Sequence, residues 1–442
     1  MARTARVLAV WANGVRVGLW RLPSRGAMEF AYDDSWRASE ESRPLSLSMP
    51  LTLDAHVHKG AAVEAYFDNL LPDSEPIRRR LQDRFHTASR GAFDLLAAIG
   101  RDCVGAVQLL PPDETPADIR KIDAHPLTPA AIAAELAGVT SSSPAGEIED
   151  FRISIAGAQE KTAFLKQQGK WCRPIGSTPT THIFKLPLGL VGNRQADMRT
   201  SVENEWLCAR IVAAFGIPIA NCEIGEFGAS KVLMVERFDR ALHSSGKYWL
   251  RLMQEDFAQA TGTPWHRKYQ ADGGPGLVEI ARILRGSQES QRDLTTLFRA
   301  QLLFWMLAAT DGHAKNFSIR ILAGGHFHLT PLYDVLSAWP IIGKKANEIP
   351  LEKVKLAMAL PGERPRYHLQ SIQRRHFETL AKKLGLGAES NAFIDEMVAA
   401  TPAAIETVDR AIPKGFPQAL LERVFAGLRR SAHALSNTAK DS

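Results

Sequence analysis

Alternation of apolar and polar residues dominates the start of the chain. Over residues 7–22 it surrounds Asn13-Gly14, a dipeptide that tolerates the positive φ angles of a two-residue type I′ turn, so a β-hairpin is predicted. A helix is predicted over residues 72–85, where acidic residues precede basic ones as the helix dipole favours. With the apolar unit that follows, the pattern predicts a small α+β subdomain over residues 1–112.

Two stretches rich in proline and serine, residues 111–116 and 140–146, interrupt this pattern and predict a linker with a short helix over residues 113–147. The next segment, residues 148–250, alternates strand patterns with one helical pattern that stops before Gly216, a plausible C-cap. Its predicted elements are strands at 151–155, 162–166, 181–186 and 231–235 and a helix at 201–215.

Beyond residue 250 the pattern is mainly helical, and an all-α C-terminal lobe is predicted over residues 251–430. Two strand patterns interrupt it, at residues 317–321 and 326–329. Residues 431–442 are small and polar and are predicted to fray as a flexible tail. The patterns together predict an α+β fold.

Composition narrows the class of protein. The chain has 442 residues, 45% hydrophobic and 23% charged, which is typical of a globular protein of two or three domains. The apolar run at residues 302–310 has about half the ~20 residues that a membrane span needs, and the N-terminus lacks a signal-peptide pattern. A cytoplasmic protein without a membrane segment is predicted.

The four cysteines, Cys103, Cys172, Cys208 and Cys222, are widely spaced and form no C-x-x-C pair. Buried, inert thiols are therefore predicted in preference to a zinc site or a redox dithiol. The net charge of +6 permits an acidic partner such as nucleic acid but is small for this length, so charge alone selects no partner.

The strongest chemical signal lies after an apolar helix at residues 302–307, in the sequence Asp311-Gly-His-Ala-Lys-Asn316, with a later aspartate at Asp334. Protein kinases use this order and spacing: the first Asp accepts a hydroxyl proton, while the Asn and the last Asp hold Mg²⁺. The alternative for Asp311 is an ordinary Asp-Gly turn, and for Asp334 a carboxylate that caps a helix.

Two further features are compatible with nucleotide binding. Lys185 ends a strand pattern, where a lysine can pair with phosphates while a helix carboxylate, Glu203 or Glu205, holds it straight. The turn at residues 154–161 contains a single glycine and is only a weak phosphate cradle by composition. A solvated lysine at the strand end is the alternative interpretation of Lys185.

Over nearly its whole length the chain resembles the HipA family, serine/threonine-kinase toxins of bacterial toxin–antitoxin pairs. Short motifs in a fixed order carry the resemblance; they begin at Phe67, Gly105, Ser154, His182, Glu203, Val235, Gln254, Ala309 and Pro331. The chain departs from ordinary protein kinases because it lacks H-R-D, D-F-G and A-P-E.

The resemblance implies a bilobed, protein-kinase-like fold that binds ATP and Mg²⁺. It implies Asp311 as the base and Asn316 and Asp334 as metal ligands, together the catalytic set, and Ser154 as a self-phosphorylation site whose phosphate stops turnover. The residues that it places at the nucleotide are Ala156, Gly157, Ala158, Gln159, Glu160, Lys161, Lys185, the hinge residues Glu236 and Phe238, His313, Asn316, Tyr333 and Asp334.

The resemblance also implies partners: a HipB-like helix-turn-helix antitoxin, operator DNA reached mainly through that antitoxin, and a protein substrate such as glutamyl-tRNA synthetase, whose phosphorylation arrests growth. The competing hypothesis is a corepressor with vestigial catalysis that joins the antitoxin on DNA. A third is a metal phosphohydrolase that uses Asp311, His313 and Asp334.

Overall fold

The computed structural model describes residues 6–140 and 154–437, and the chain divides into two compact units. Unit 1 comprises Met1–Leu186, Gly225–Arg267 and Ile319–Phe327. Unit 2 comprises Pro187–Ile224, Lys268–Ser318 and His328–Ser442. Within the described ranges, no helix is both long enough and apolar enough to cross a bilayer.

The described strands, in chain order, are β1 (Arg6–Ala12), β2 (Val15–Leu22), β3 (Glu29–Tyr32), β4 (Val57–Lys59), β5 (Val107–Leu110), β6 (Ala124–Pro126), β7 (Lys161–Gln167), β8 (Lys170–Pro174), β9 (His182–Lys185), β10 (Gly189–Val191), β11 (Ala196–Met198), β12 (Cys222–Phe227), β13 (Ser230–Glu236), β14 (Arg240–Leu242), β15 (Trp249–Arg251), β16 (Gln254–Asp256), β17 (Ser318–Ile321), β18 (Phe327–Leu329), β19 (Lys355–Leu360) and β20 (Arg366–His368).

The described α-helices are α1 (Asp34–Arg37), α2 (Ala61–Asp68), α3 (Glu75–Phe85), α4 (Ala92–Ile99), α5 (Pro129–Val139), α6 (Ser201–Ala214), α7 (Phe257–Ala260), α8 (Leu277–Leu284), α9 (Ser290–Met306), α10 (Arg374–Leu384), α11 (Ser390–Asp409) and α12 (Gln418–Asn437).

The first sheet of unit 1 has the strand order β4-β3-β2-β1-β5. Its central hairpin confirms the predicted turn, since Asn13 and Gly14 have φ of 47° and 80°. The helix predicted at residues 72–85 begins three residues later as α3, because the Ser74 side chain caps it by accepting a hydrogen bond from the Ile77 amide. Trp20 and Phe67 stack at 3.9 Å in the core beneath this sheet.

The second sheet has the order β12-β13-β9-β7-β8-β6, and its strands β7, β9 and β13 confirm three of the predicted strands. Its core joins helix α5 to the sheet and is made of the buried side chains Ile132, Leu136, Phe164, Phe184, Phe227 and Val232. The strand predicted at 151–155 falls mostly outside the described residues, and its described part, Ser154 and Ile155, forms no strand.

Unit 2 is mainly helical, and α6 confirms the predicted helix, with Gly216 following it at φ +70°. The all-α description of the C-terminal lobe is wrong at two places beyond the two predicted strands, because β16 lies within residues 251–430 and because β19 and β20 form an antiparallel pair. The apolar run of β19 is short and buried, and periodicity cannot distinguish such a strand from a helix.

The tail prediction was wrong for residues 431–437, which extend helix α12. Leu428, Ala432 and Leu435 recur at helical spacing on this helix and are buried, so its last two turns pack instead of fraying. Residues 438–442 of the predicted tail lie outside the described residues.

Candidate active site

The candidate catalytic loop of unit 2, residues 311–316, follows helix α9. Asp311 is exposed, whereas His313 and Asn316 are buried. The Asn316 Oδ1 accepts a hydrogen bond from the His313 amide at 3.1 Å, and the Asn316 amide donates to the His313 carbonyl at 2.9 Å. This reciprocal pairing closes the loop on itself and leaves Asp311 at its solvent side.

Gly312 explains why the loop can lie so close to the helix that delivers it. A Cβ atom at Gly312 would lie 2.5 Å from the Phe304 ring, a distance that real side chains do not show. Phe304 in turn packs against Phe317 with ring centroids 5.6 Å apart. The Asp-Gly pair is therefore a requirement of packing as well as of a turn.

The Asp311 carboxylate has two aromatic neighbours in unit 2. The Tyr269 hydroxyl donates to its Oδ1 at 2.6 Å, and the His313 Nε2 lies 3.9 Å from the same oxygen. The Tyr269 and His313 rings meet edge to face at 5.1 Å. The segment that carries Tyr269 is anchored by the next residue, Gln270, whose Oε1 accepts from the Ala359 amide at 2.8 Å.

Asp334 has a left-handed backbone conformation, with φ +62°. Aspartate tolerates this region better than most residues, and such strain is common at functional sites. Its neighbour Tyr333 joins this segment to the catalytic loop, because the Tyr333 hydroxyl donates to the Lys315 carbonyl at 2.7 Å and pairs with the Ser318 Oγ at 2.5 Å. The structure thus brings the Asn316 loop and the Asp334 segment together through one side chain.

The candidate phosphate loop, residues 154–161, belongs to unit 1 and is folded onto the segment after α2. The Ser154 Oγ donates to the Leu70 carbonyl at 2.8 Å, and Ser154 has an exposed fraction of 0%. The Asp73 amide donates to the Gly157 carbonyl at 3.1 Å. In this conformation the predicted self-phosphorylation site is therefore inaccessible.

Lys161, the last residue of this loop, bonds back to the loop's own backbone. The Lys161 Nζ donates to the Ala156 carbonyl at 2.6 Å, and a Cβ at Gly157, where φ is +108°, would lie 2.4 Å from that Nζ. Only glycine satisfies both the backbone angle and this close approach. Lys161 stands directly opposite Lys185 across the β7–β9 ladder.

Other residues of this loop were also predicted to contact the nucleotide. Gln159 is buried, and its side-chain Nε2 donates to the Leu186 carbonyl at 2.5 Å. Glu160 pairs with Arg80 of helix α3, and Ala158 is exposed. Lys185 is buried at the end of β9. In unit 2, Glu203 and Glu205 are both buried on α6.

The predicted hinge, Glu236 to Phe238, also lies in unit 1. Glu236 is exposed and Phe238 is half-buried, whereas the residues that alternate with them, Arg237 and Asp239, are buried. The Arg237 amide donates to the Thr181 carbonyl at 2.9 Å, which pairs this backbone with the strand before Lys185.

A buried charge cluster underlies the hinge: Asp102, Arg237, Asp239, Arg240 and Arg251. Burial opposes ionisation of Asp102, but the charges of Arg240, Arg237 and Arg251 outweigh it and hold its pKa below the usual range. The cluster connects the N-terminal segment to the hinge, a role that no motif of the sequence indicated for Asp102.

The oxygen donors in unit 2 fit a magnesium ion. Asp334 offers a carboxylate and Asn316 an amide oxygen, and Mg²⁺ is commonly held by one or two carboxylates together with substrate phosphates and water. Within the described ranges, no cluster of three or more His, Cys, Asp or Glu side chains forms a metal site. The four cysteines, all described, are buried and free, which confirms the prediction that these thiols are buried.

Comparison with known proteins identifies the family of the chain. Residues 8–110 match the HipA N-terminal domain and residues 153–405 match the HipA-like C-terminal domain. The putative kinase Y4mE of Sinorhizobium fredii is 32% identical over 390 residues, covering 87% of each chain. The serine/threonine-protein kinase toxin HipA of Shewanella oneidensis is 26% identical, covering 69% of each.

The structure of Shewanella oneidensis HipA, solved in a complex with HipB and operator DNA, matches with a TM-score of 0.78 at 20% identity over 98% of this chain and 99% of that one. This match confirms the fold. The domain matches across both units and the 32% identity to Y4mE show that the chain belongs to the HipA family.

Proposed function

We propose that the chain is an ATP-dependent serine/threonine protein kinase in which Asp311 is the catalytic base. The observation that carries the proposal is the exposed Asp311 carboxylate on a loop closed by Asn316 and tied to the Asp334 segment by Tyr333. A base must reach a substrate hydroxyl, whereas the metal ligands must be held rigidly. Asp311 is exposed, whereas Asn316 is buried and Asp334 is half-buried.

In the proposed reaction, Asp311 accepts the proton of the substrate hydroxyl as that oxygen bonds to the γ-phosphorus of ATP. The bond between the γ-phosphorus and the β,γ-bridging oxygen breaks, and ADP leaves. Mg²⁺, when bound, neutralises charge on the phosphates. Asn316 and Asp334 would hold the ion, while Lys185 and the loop at residues 154–161 would contact the phosphates. Glu236 and Phe238 would contact the adenine.

We further propose that the kinase acts as a toxin. Its substrate is a component of translation, in the first instance an aminoacyl-tRNA synthetase, and a HipB-like antitoxin neutralises it and carries it to operator DNA. The family membership supports this proposal, and the solved relative was obtained with HipB and its operator.

Self-phosphorylation at Ser154 is part of the proposal and carries a structural condition. Because Ser154 is fully buried and bonded to the Leu70 carbonyl, the loop must leave this position before the hydroxyl can accept a phosphoryl group. A phosphate of about −2 charge could not return to the buried position, which would keep the loop undocked and end turnover.

The test is transfer of labelled γ-phosphate from ATP by the purified full chain, to itself and to candidate synthetases. Asp311→Asn and Asp334→Asn are expected to abolish transfer, and Asp409→Asn, the same change at an exposed aspartate of α11, is expected to leave it intact. Transfer that persists in Asp311→Asn contradicts the role of the base. Binding to operator DNA with the antitoxin, without any ATP turnover, would favour the vestigial corepressor.

A further inference from the structure

Asn204 of helix α6 holds both backbone groups of one residue in the segment after Asp334. Its Nδ2 donates to the Ser337 carbonyl at 2.8 Å, and its Oδ1 accepts from the Ser337 amide at 2.9 Å. Both residues have an exposed fraction of 1%. The side-chain amide thus pairs with both backbone groups of Ser337, as the backbone of a neighbouring β-strand would.

The orientation of the Asn204 amide is fixed by a third contact. The Cys208 Sγ, one helical turn further along α6, donates to the Asn204 Oδ1 at 3.4 Å. The oxygen therefore faces two donors and the nitrogen faces a carbonyl. Aspartate would place a carboxylate oxygen against the Ser337 carbonyl, and an apolar side chain would leave two buried backbone groups without partners.

Ser337 also connects the Asp334 segment to the end of helix α9. Its Oγ donates to the Leu307 carbonyl at 2.6 Å, and the next amide, of Ala338, donates to the Ala308 carbonyl at 3.0 Å. Leu307 lies four residues before Asp311, and Ser337 lies three residues after Asp334. One buried residue is therefore bonded both to the helix end that delivers the base and to the helix that carries Asn204.

The opposite side of Asp334 is held by the connection that follows α6. The Leu332 amide donates to the Pro218 carbonyl and the Ala220 amide donates to the Leu332 carbonyl, both at 2.8 Å. Asp334, at φ +62°, lies between these two fixed points, two residues after one and three before the other. A strained backbone persists only where its surroundings hold it.

We propose that Asn204 and Ser337 are positioning residues. They hold the backbone of Asp334 in its left-handed conformation and thereby set the position of its metal-binding carboxylate relative to Asp311. The proposal rests on the proposed kinase function. Asn204, the central residue of the sequence Glu203-Asn204-Glu205, thus has a positioning role that its two neighbouring glutamates do not share. Groups that orient a metal ligand typically contribute 10–100-fold to metal affinity or activity.

The experiment titrates Mn²⁺ into the full chain with ADP present and follows the free ion by electron paramagnetic resonance. Asn204→Asp is expected to weaken Mn²⁺ binding about tenfold or more. Asn347→Asp makes the same chemical change at an exposed asparagine of unit 2 and is expected to bind Mn²⁺ as the unaltered chain does. Ser337→Ala keeps both hydrogen bonds between the Asn204 side chain and the backbone of residue 337 but removes the bond to the Leu307 carbonyl. The kcat for phosphoryl transfer should therefore fall more than the Mn²⁺ affinity.

Thermal melting without metal separates positioning from a general loss of structure. If Asn204→Asp does not fold, Asn204→Ser, which keeps one donor and acceptor, is expected to fold and to show the same weakening of Mn²⁺ binding. Unchanged Mn²⁺ affinity in a folded Asn204 variant overturns the positioning role alone. Absence of both Mn²⁺ binding and phosphoryl transfer in the unaltered chain would instead contradict the proposed function.

Discussion

The Tyr269 hydroxyl donates a hydrogen bond of 2.6 Å to the Oδ1 of Asp311. The two residues are 42 positions apart in the chain, and both belong to unit 2. The proposed catalytic base is therefore exposed to substrate but is not free to rotate.

Tyr269→Phe tests this restraint because it removes the hydroxyl and keeps the ring that packs against His313. A hydrogen bond to a charged group contributes about 1.5–3 kcal/mol, so we expect kcat to fall about tenfold with the KM for ATP unchanged. Steady-state kinetics measures kcat and the KM for ATP separately. Tyr367→Phe is the matched control in the same unit, and an unaltered kcat in Tyr269→Phe would contradict the restraint.

The left-handed conformation of Asp334 predicts an unusual order of stability among its variants. Asp334→Ala keeps a Cβ atom without a polar side chain, whereas Asp334→Gly removes the Cβ that makes this region costly, by about 1–2 kcal/mol. Asp334→Gly is therefore expected to be at least as stable as Asp334→Ala, although both lose phosphoryl transfer. Urea unfolding measures the difference, and a less stable glycine variant would show that φ +62° is not maintained in solution.

Buried Glu255 predicts a dependence of stability on pH. Burial raises its pKa to about 8, although the Leu47 amide donates to its carboxylate and favours the charged form. Because the folded state then holds a proton that the unfolded state has released, the free energy of unfolding should decrease as pH rises between about 4.5 and 8, by up to about 1.4 kcal/mol per pH unit.

Glu255→Gln removes this titration and keeps an oxygen for the Leu47 amide. We expect the variant to gain stability over the unaltered chain progressively from pH 5 to pH 8, as measured by urea unfolding at each pH. Glu64→Gln, at an exposed glutamate of the same unit, should show no such trend. A gain that stays constant with pH would mean that Glu255 is ionised throughout this range.

The docked phosphate loop predicts a local response to charge at Ser154. Ser154→Asp introduces a carboxylate where the exposed fraction is 0%, so the loop is expected to leave the Leu70 carbonyl. The amide of Asp73, which donates to the Gly157 carbonyl, should then exchange its hydrogen faster in Ser154→Asp than in Ser154→Ala. Equal exchange in both variants would indicate that the loop remains docked despite the charge.

The charge cluster beneath the hinge predicts a large effect of one substitution in the N-terminal segment. Asp102→Asn leaves Arg237, Arg240 and Arg251 without one of their two buried carboxylates, which should cost about 3–5 kcal/mol of the free energy of unfolding. Chemical denaturation measures this, with Asp113→Asn as the exposed control. A loss below about 1 kcal/mol would mean that water screens the cluster.

The sequence by itself determined the elements whose cause is local. The alternation around Asn13-Gly14 was sufficient for the hairpin, the apolar spacing for α6, and the Asp311, Asn316 and Asp334 spacing for the candidate catalytic set. It did not reveal the β19–β20 pair or the helical end of α12, because short buried segments and small residues have no distinctive period.

Only the tertiary structure decided which distant groups support those residues. Tyr269 donates a hydrogen bond to Asp311 across 42 residues of chain, and Asn204 bonds to Ser337 across 133. Asp102 forms ion pairs with three arginines, the furthest of them 149 residues away. No local pattern records such contacts, because hydrogen bonds and ion pairs between distant segments depend on packing, which brings together residues whose spacing along the chain is arbitrary. The residues of the proposed chemistry could therefore be named from the sequence, whereas the contacts that hold them in position could not.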